Sequence, residues 1–406
     1  MLKVGSDFSG VGAFNQALIR LGKPYKEVFA CDMDKYARQT FIENYGEPEY
    51  YPTNVYDRTI PKDSLDIYMT SPPCQAFSLA GNRLGKDDKR GVLFFNSHEF
   101  IQKNQPRFFI FENVKGLLSD DNGKTFSEWV NMLGGKSVNG VPVLFPYDDA
   151  VEYHLYWKVL NAKNHAVPQN RERVFLVGIR DEQDNQFRWP VEEHLTKRLK
   201  DVLEEEVDDK YFLSEKMIEY ISKDRNGNEN LIVNREIANT ITSEIKKMQR
   251  SIQDNYIDED VITFDCKHNL NGCINTIKKH RIDDLCSFCD SGEEFIYIED
   301  MEVMLNDDVK CKYDKYKREI EQSINQDICT GIDASYYKGF GVRQGKCRQV
   351  VKDEFKIRRL TPRECFRLMD FPDSFTWPVS DSQAYKQAGN SIVVNVLYKI
   401  LKNLPL

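Results

Sequence analysis

A single cysteine lies in the segment SPPCQAFS (71–78), directly after the apolar run LDIYMTS (65–71). The run is typical of a buried strand, and the two prolines fix φ in the turn that follows it. In open α/β sheets, ligands bind at the carboxyl ends of the strands, where this turn is expected. The next segment (78–91) is polar and contains glycines, which is typical of a mobile lid. We therefore expect Cys74 to be a nucleophile, although a lone cysteine is more often a small core residue.

Two later segments supply groups that can work with a thiolate. Glu112 ends the apolar run FFIF, so we expect its carboxyl group at the same sheet edge as Cys74. Partial burial there would raise its pKa and let it act as an acid towards a ring nitrogen. In VPQNRERVFLVGI (167–179), Arg171 and Arg173 occupy alternating positions just before a strand, so they point the same way if the segment is already extended. A guanidinium that keeps its charge suits a carbonyl oxygen or an anion. The alternatives are a carboxylate at a helix N-terminus and a surface ion pair.

A glycine turn near the amino terminus is typical of a nucleotide-binding sheet. In DFSGVGAFNQAL (7–18), an apolar run ends, and Gly10 and Gly12 precede a helical pattern. Asp32 lies about twenty residues further on and can accept both hydroxyls of a ribose. The third glycine of the dinucleotide fingerprint is missing from the sequence, so a nucleoside ligand without a pyrophosphate fits this turn better.

Over the first 180 residues, apolar runs alternate with helical patterns. These elements must position the candidate site residues. This alternation predicts an α/β fold with a doubly wound, mostly parallel sheet. The predicted strands are 1–8, 27–33, 65–71, 107–113 and 173–179, and the predicted helices are 13–22, 35–46 and 95–104. A stretch from 134 to 149 is expected to be an inserted loop.

The composition of the 406-residue chain, 41% hydrophobic and 30% charged, is that of a globular protein of two or three domains. Neither a membrane span nor a secretory signal is recognisable, which predicts a cytoplasmic location and cysteines without disulfides. The net charge of −8 argues mildly against a nucleic-acid partner. Basic residues nevertheless cluster between 338 and 359, where they form either a phosphate-tracking stripe or a solvated charged face.

Six motifs occur in an order that resembles the DNA (cytosine-5)-methyltransferases of bacteria and their viruses. They are DFSGVG, SPPCQAFS, FENVKGLL, VPQNRERVFLVGI, RRLTPRECFRLMDFP and YKQAGNSIVVNVL. The similarity covers residues 1–181 and about 335–403. It implies a Rossmann-like catalytic domain that uses S-adenosylmethionine, and a smaller, irregular target-recognition domain. The expected boundaries are 1–182, completed by 377–406, for the first domain and 183–376, with a long insertion at about 243–335, for the second.

The resemblance also implies a role for each matching residue. Cys74 attacks C6 of a cytosine flipped out of duplex DNA, and Glu112 protonates or hydrogen-bonds N3. Arg173 helps to hold the base, with Arg171 in support. The implied cofactor residues are Phe8, Gly10, Gly12, Asp32, Met33, Asn54, Pro73, Asn390 and Ser391. The implied substrate or DNA contacts are Gln75, Ser78, Arg90, Gln169 and Thr240.

Two positions depart from the family's pattern. Asn54 stands where an acidic residue usually contacts the adenine amino group, and its amide oxygen can still accept that hydrogen bond. Ala388 stands where an aromatic residue is common, which indicates a change in packing.

Four cysteines in the insertion raise the question of a zinc site. Only CSFC (286–289) has a tight ligand spacing, so we favour free thiols over zinc. The four residues are Cys266, Cys273, Cys286 and Cys289.

The resemblance implies double-stranded DNA as the partner of a monomeric enzyme, in a restriction-modification or phage modification role. A cognate restriction endonuclease would act separately. Two alternatives stay open: the same chemistry on RNA, and a nucleotide-binding oxidoreductase with a reactive thiol. The long variable region between Arg180 and Arg358 favours DNA, because sequence-specific DNA enzymes need a separate recognition domain.

Overall fold

The computed structural model describes residues 1–72, 92–222, 235–241, 255–258, 262–263, 276–277 and 357–406. Several predicted site residues lie outside these ranges. They are Pro73, Cys74, Gln75, Ser78, Arg90 and the insertion cysteines Cys266, Cys273, Cys286 and Cys289.

The described elements follow the predicted alternation closely up to residue 114. The strands are β1 (Leu2–Asp7), β2 (Tyr25–Cys31), β3 (Ile67–Thr70), β4 (Phe108–Val114), β5 (Ser137–Val138), β6 (Val141–Pro142), β7 (His154–Asn161), β8 (Gln169–Asn170), β9 (Glu172–Ile179), β10 (Ala238–Asn239), β11 (Tyr256–Asp258), β12 (Ile262–Thr263), β13 (Thr276–Ile277) and β14 (Ile357–Arg359). The helices are α1 (Ala13–Leu21), α2 (Lys35–Tyr45), α3 (Val92–Asn104), α4 (Lys124–Leu133), α5 (Glu215–Ile221), α6 (Pro362–Leu368), α7 (Asp381–Asn390) and α8 (Val394–Lys402). None of the helices in the described ranges combines the length and the apolar content that a bilayer crossing requires.

Eight strands form one large sheet in the order β2-β1-β3-β4-β9-β7-β5-β6. The first four run parallel, and β9 is antiparallel to both β4 and β7. The predicted mostly parallel α/β sheet is confirmed, with β7 and α4 as additions that the sequence pattern did not reveal. The predicted inserted loop contains the short antiparallel pair β5–β6.

Aromatic packing holds α3 and α4 against the sheet. Tyr68 of β3 stacks on Phe100 of α3 with ring centroids 4.1 Å apart, and Phe94 stacks on Trp129 of α4 at 4.2 Å. All four rings are buried, so they contribute large apolar areas to one core. This core fixes α3 and α4 against the sheet.

The strand register brings the predicted site residues to one edge. Asp7 pairs with Cys31 and with Thr70, and Thr70 pairs with Phe111. The residue after each of these therefore lies at the same edge of the sheet, as expected from the parallel order, although β4 continues beside β9 to Val114. These following residues are Phe8, Asp32, Ser71 and Glu112.

The chain divides into two compact units, Met1–Leu203 with Ile237–Lys247 and Pro362–Leu406, and Glu204–Glu236 with Met248–Thr361. These limits differ from the expected boundaries at 182 and 377. One physical reason is that Arg367 of α6 donates to the carbonyl oxygens of Val202 and Leu203, at 3.1 and 3.0 Å, so both segments stay with the first unit. In the second unit, β11 pairs with β14, and Ile221, Tyr256 and Ile357 form a small core.

Candidate active site

Glu112 lies at the carboxyl end of β4, buried beside an arginine. Its Oε1 atom is 3.1 Å from the Nε atom of Arg173 on the neighbouring strand β9. Glu112 pairs with Phe175, so Arg173 is its diagonal neighbour on the same face of the sheet. Burial raises the pKa of Glu112, while the charges of Arg173 and Arg171 oppose this rise. The site thus holds a carboxyl group that gains a proton more readily than an exposed glutamate does.

Arg171 points into the protein instead of joining Arg173. Its guanidinium donates to the carbonyl oxygens of Ile241, Gly389 and Ser391, at 2.7, 2.9 and 2.7 Å. Burial lowers its pKa to about 9, and the charge of Arg173 adds to this effect. Alternating positions would point both arginines the same way only in a continuous extended segment. This condition is not met, because β8 ends at Asn170 and β9 begins at Glu172, so that Arg171 lies between the two strands. Arg171 therefore ties its own segment to two distant ones, the segment that contains Ile241 and the end of α7.

Gln169 and Thr240 are also engaged within the protein. Gln169 is fully buried, its Nε2 donates to the carbonyl oxygen of Leu368 at 2.7 Å, and its Oε1 accepts from the amide of Ile241 at 2.9 Å. The hydroxyl of Thr240 donates to the carbonyl oxygen of Asn170 at 2.6 Å. These bonds anchor the 238–241 segment to the first unit. We therefore leave Gln169 out of the proposed DNA contacts.

Asn113 is a site residue that the sequence reasoning missed. Its Nδ2 donates to the carbonyl oxygen of Pro72 at 3.2 Å, and its Oδ1 accepts from the amide of Val114 at 2.8 Å. Pro72 is the last described residue before Cys74. Asn113 thus ties the start of the cysteine-bearing segment to the strand that carries Glu112.

The glycine turn forms a cradle at the end of β1. Phe8 and Gly10 both have positive φ angles, 58° and 54°, and a Cβ on Gly10 would meet no atom closer than 4.0 Å. Gly12 is different, because a Cβ there would lie 2.2 Å from the ring of Tyr45. The turn therefore has open space beside Gly10 and close packing behind Gly12, an arrangement that lets a ligand approach the backbone.

Asp32 closes the other side of this cradle. Its carboxylate accepts from the amides of Gly10 and Asp34, both at 2.8 Å. Burial raises the pKa of Asp32, and the two amides oppose this effect. Lys386 of α7 lies 2.6 Å from Asp34, so a late helix supports the same region, a contact not foreseen from the sequence.

The remaining predicted cofactor residues lie at the ends of neighbouring elements. Met33 is 85% exposed directly after Asp32. Asn54 is half-buried, and its Oδ1 accepts from the amide of Tyr56 at 3.0 Å, which leaves one lone pair free for another donor. Asn390 is exposed, whereas Ser391 is buried and gives its carbonyl oxygen to Arg171.

Among the residues that the structure describes, no group of three or more potential metal ligands converges. The predicted zinc alternative concerns the insertion cysteines, which lie outside those residues.

Known proteins of similar sequence include methyltransferases of phages and bacteria. The chain is 31% identical to the orphan methyltransferase M.SPRI of Bacillus phage SPR, over 99% of this chain and 97% of that protein. It is 29% identical to the type II methyltransferase M.HpaII of Haemophilus parainfluenzae, over 98% and 88%. It is 28% identical to M.HhaI of Haemophilus parahaemolyticus, over 98% and 92%.

Solved structures of similar fold include the DNMT2 of Spodoptera frugiperda, in a triple-mutant form. It has a TM-score of 0.63 and 19% identity, and the match covers 99% of both chains. The Dnmt2 of S. pombe has a TM-score of 0.59 and 18% identity, over 99% of this chain and 97% of that one. At these identities the likeness supports the fold alone.

The family model for C-5 cytosine-specific DNA methylases matches residues 2–405. This match confirms the resemblance expected from the six motifs and excludes the oxidoreductase alternative. The chain belongs to the C-5 cytosine-specific DNA methylase family.

Proposed function

We propose that this enzyme methylates C5 of a cytosine in double-stranded DNA through a transient bond between Cys74 and C6. The observation that carries the proposal is the buried carboxyl group of Glu112, 3.1 Å from Arg173 at the sheet edge where the cysteine segment begins. Asn113, which binds Pro72, belongs to the same strand as Glu112. An acid and the start of the nucleophile's segment are thus fixed by consecutive residues of one strand.

The proposed reaction begins with the thiolate form of Cys74. The Sγ of Cys74 adds to C6, and the electron pair of the C5–C6 bond moves through the ring towards N3. Glu112 protonates N3, so that negative charge does not build up on the ring. C5 is then the nucleophilic carbon. After C5 gains the methyl group, a water molecule accepts the C5 proton, the electron pair of the C5–H bond restores the C5–C6 double bond, and the C6–S bond breaks to release the Cys74 thiolate. N3 then returns its proton to Glu112.

Arg173 has two tasks in this scheme. The first is to limit the rise in the pKa of Glu112 through its charge, which its guanidinium cannot lose. The second is to hold the base. The group is partly exposed, with 17% of its side chain accessible, so it can also donate to the carbonyl oxygen of the base. Arg171 supports the site through its three backbone contacts and does not touch the reacting atoms.

S-adenosylmethionine would supply an electrophilic methyl group, and the cradle beside Gly10 fits this ligand. The open space there would accept the methionine end, with Phe8 and Gly12 shaping the turn. Asp32, half-buried at the strand end, suits a ribose, and the exposed Met33 can cover the adenine. Asn54 would accept from the adenine amino group. Three further residues, Pro73, Asn390 and Ser391, complete the set implied by the family.

We assign the first unit to catalysis and the second unit to target recognition. The target cytosine must leave the stack to reach a site at a sheet edge, which costs about a few kcal/mol in duplex DNA. We propose contacts with DNA for four residues: Gln75, Ser78, Arg90 and Thr240. Of these, only Thr240 lies within the described residues. The enzyme would act as a cytoplasmic monomer, with any cognate restriction endonuclease acting separately.

The decisive test uses purified protein, S-adenosylmethionine labelled in the methyl group, and two substrates, duplex DNA and single-stranded RNA. Nucleoside mass spectrometry should find labelled 5-methylcytosine in the DNA. Label confined to the RNA, or carried on an exocyclic amino group of a DNA base, would overturn the proposal.

A further inference from the structure

An ion pair lies completely inside the first unit, at the end of the strand that carries the glycine turn. Arg58 donates from Nε to Asp7 Oδ1, and its Nη2 lies 2.8 Å from Asp7 Oδ2, with the Nε bond also 2.8 Å long. The side chains of Arg58 and Asp7 are 2% and 0% exposed. Asp7 immediately precedes Phe8, the first residue of the cofactor cradle.

This pair connects elements that surround the proposed site. The hydroxyl of Tyr68 in β3 donates to Asp7 Oδ2 at 2.6 Å. Arg58 Nη2 also donates to the carbonyl oxygen of Asn96 in α3 at 3.3 Å, and its guanidinium lies 4.6 Å from the ring centroid of Phe100 in the same helix. The Arg58–Asp7 pair thus joins β1 to β3 through Tyr68, and to α3 through Asn96 and Phe100. β3 is the strand before the cysteine segment, and α3 is the helix after it.

Stability alone does not explain charged residues at this place. Burying both ions carries a large desolvation cost, and apolar side chains of similar volume often serve a core equally well or better. The surroundings are aromatic, since Phe29, Phe100 and Tyr68 are all fully buried. What apolar side chains cannot provide is the directional bond from Arg58 to Asn96 together with the bonds that fix Asp7.

We propose that Arg58, oriented by Asp7 and Tyr68, is a positioning residue that fixes the cofactor cradle relative to α3. The inference deepens the proposed function and rests on it, because it assumes that the cradle beside Gly10 takes S-adenosylmethionine. A loss of this bridge would loosen the cradle and weaken cofactor binding while the fold persists.

The test replaces the pair with apolar side chains in the full-length protein. In the Asp7→Leu/Arg58→Met double variant, neither charge is left buried alone. The matched control is Arg107→Met/Asp184→Leu, which removes an ion pair of similar geometry, at 2.6 and 2.9 Å, from the opposite end of the sheet before β4. The readouts are the melting temperature, the Kd of S-adenosylmethionine by calorimetry, and the KM values for cofactor and DNA.

We expect the Asp7/Arg58 double variant to melt within a few degrees of wild type but to bind S-adenosylmethionine at least tenfold more weakly. Its KM for cofactor should rise with the Kd, and its KM for DNA should change less than twofold. The control should bind the cofactor as wild type does. Unchanged cofactor affinity in the double variant at an unchanged melting temperature would overturn the inference.

A second variant covers the case in which the double variant does not fold. Arg58→Lys keeps a charge beside Asp7, but one ammonium group cannot reproduce the forked contacts with Asp7 and Asn96. Its cofactor Kd should rise by an intermediate factor, about threefold to tenfold, and a wild-type Kd would refute the positioning role. If the wild type binds the cofactor yet methylates no DNA, the proposed function fails while the Kd comparison still decides this inference.

Discussion

The Oε1 atom of Glu112 lies 3.1 Å from the Nε atom of Arg173 across two antiparallel strands. Burial and the arginine act on this carboxyl group in opposite directions: burial raises its pKa, and the neighbouring charge limits the rise. A carboxyl group balanced in this way can give a proton to a ring nitrogen and take it back.

Replacement of Glu112 by glutamine should therefore stop catalysis without unfolding the protein. Glu112→Gln keeps the shape of the side chain but cannot transfer a proton. We expect the single-turnover rate of methyl transfer to fall by about 10²–10⁴-fold, the usual contribution of a positioned acid. Cofactor affinity, measured by calorimetry, should stay within twofold of wild type.

The control for this change is Glu172→Gln on the same strand as Arg173. Glu172 is half-exposed and forms an ion pair with Lys115 at 3.0 Å. Its neutralisation should leave the rate unchanged, because exposed pairs contribute little. Equal rate losses in the two variants would show that the rate depends on negative charge near β9 and not on proton transfer by Glu112.

The two arginines of the same motif should give opposite phenotypes. In Arg171→Met, three buried carbonyl oxygens lose their donor, and we expect the free energy of unfolding to fall by about 3 kcal/mol or more. Arg173→Met should lose less stability than Arg171→Met does, but its rate should fall by about 10²-fold. Urea unfolding and single-turnover kinetics separate these effects, and a catalytic loss in a fully stable Arg171→Met protein would contradict the assignment.

The bond between Asn113 and Pro72 predicts a catalytic effect at a residue that performs no chemistry. Asn113→Ala removes the 3.2 Å bond that holds the start of the cysteine segment. The rate should fall by about 10–100-fold, since removing one partner of a buried hydrogen bond costs about 1–3 kcal/mol. The comparison is Asn131→Ala, which removes an exposed bond to the hydroxyl of Tyr147 and should leave the rate unchanged. A wild-type rate in Asn113→Ala would show that the bond does not position Cys74.

Sequence patterns predicted well which residues lie at the edge of the sheet. The reason is that four parallel strands end at the same edge, and the motifs lie at those strand ends. The same patterns could not predict β7, since residues 154–161 show no clean alternation of buried and exposed positions. Nor could they predict the direction of Arg171, which depends on the break between β8 and β9. The Arg58–Asp7 pair joins residues 51 positions apart, and no short motif signals such a contact.

A further prediction concerns Glu27, whose carboxyl group is largely buried beside Asn15. Burial raises the pKa of Glu27 to about 7 from 4.5, although the 2.8 Å bond from Asn15 opposes this. The folded protein therefore holds this proton more tightly than the unfolded chain does. The stabilising effect is complete below pH 4.5 and is lost as the pH rises towards 7.

Glu27→Gln mimics the protonated form at every pH. Relative to wild type, it should gain about 2–3 kcal/mol in the free energy of unfolding between pH 4.5 and pH 8, following the linkage relation. Urea unfolding across this range measures the difference. A stability difference that does not change with pH would show that Glu27 keeps an ordinary pKa.

The most direct test of the account asks whether Cys74 bonds to the base. In duplex DNA that carries 5-fluorocytosine, C5 has no proton to lose, so the bond between sulfur and C6 cannot break after methyl transfer. With S-adenosylmethionine present, the wild type should form a denaturant-stable adduct that peptide mapping places on Cys74. The buried Cys31, whose pKa burial raises to about 12, should stay unmodified. Cys74→Ser should bind the DNA without forming an adduct. An adduct in Cys74→Ser, or no adduct from a wild type that methylates ordinary DNA, would contradict the proposed mechanism.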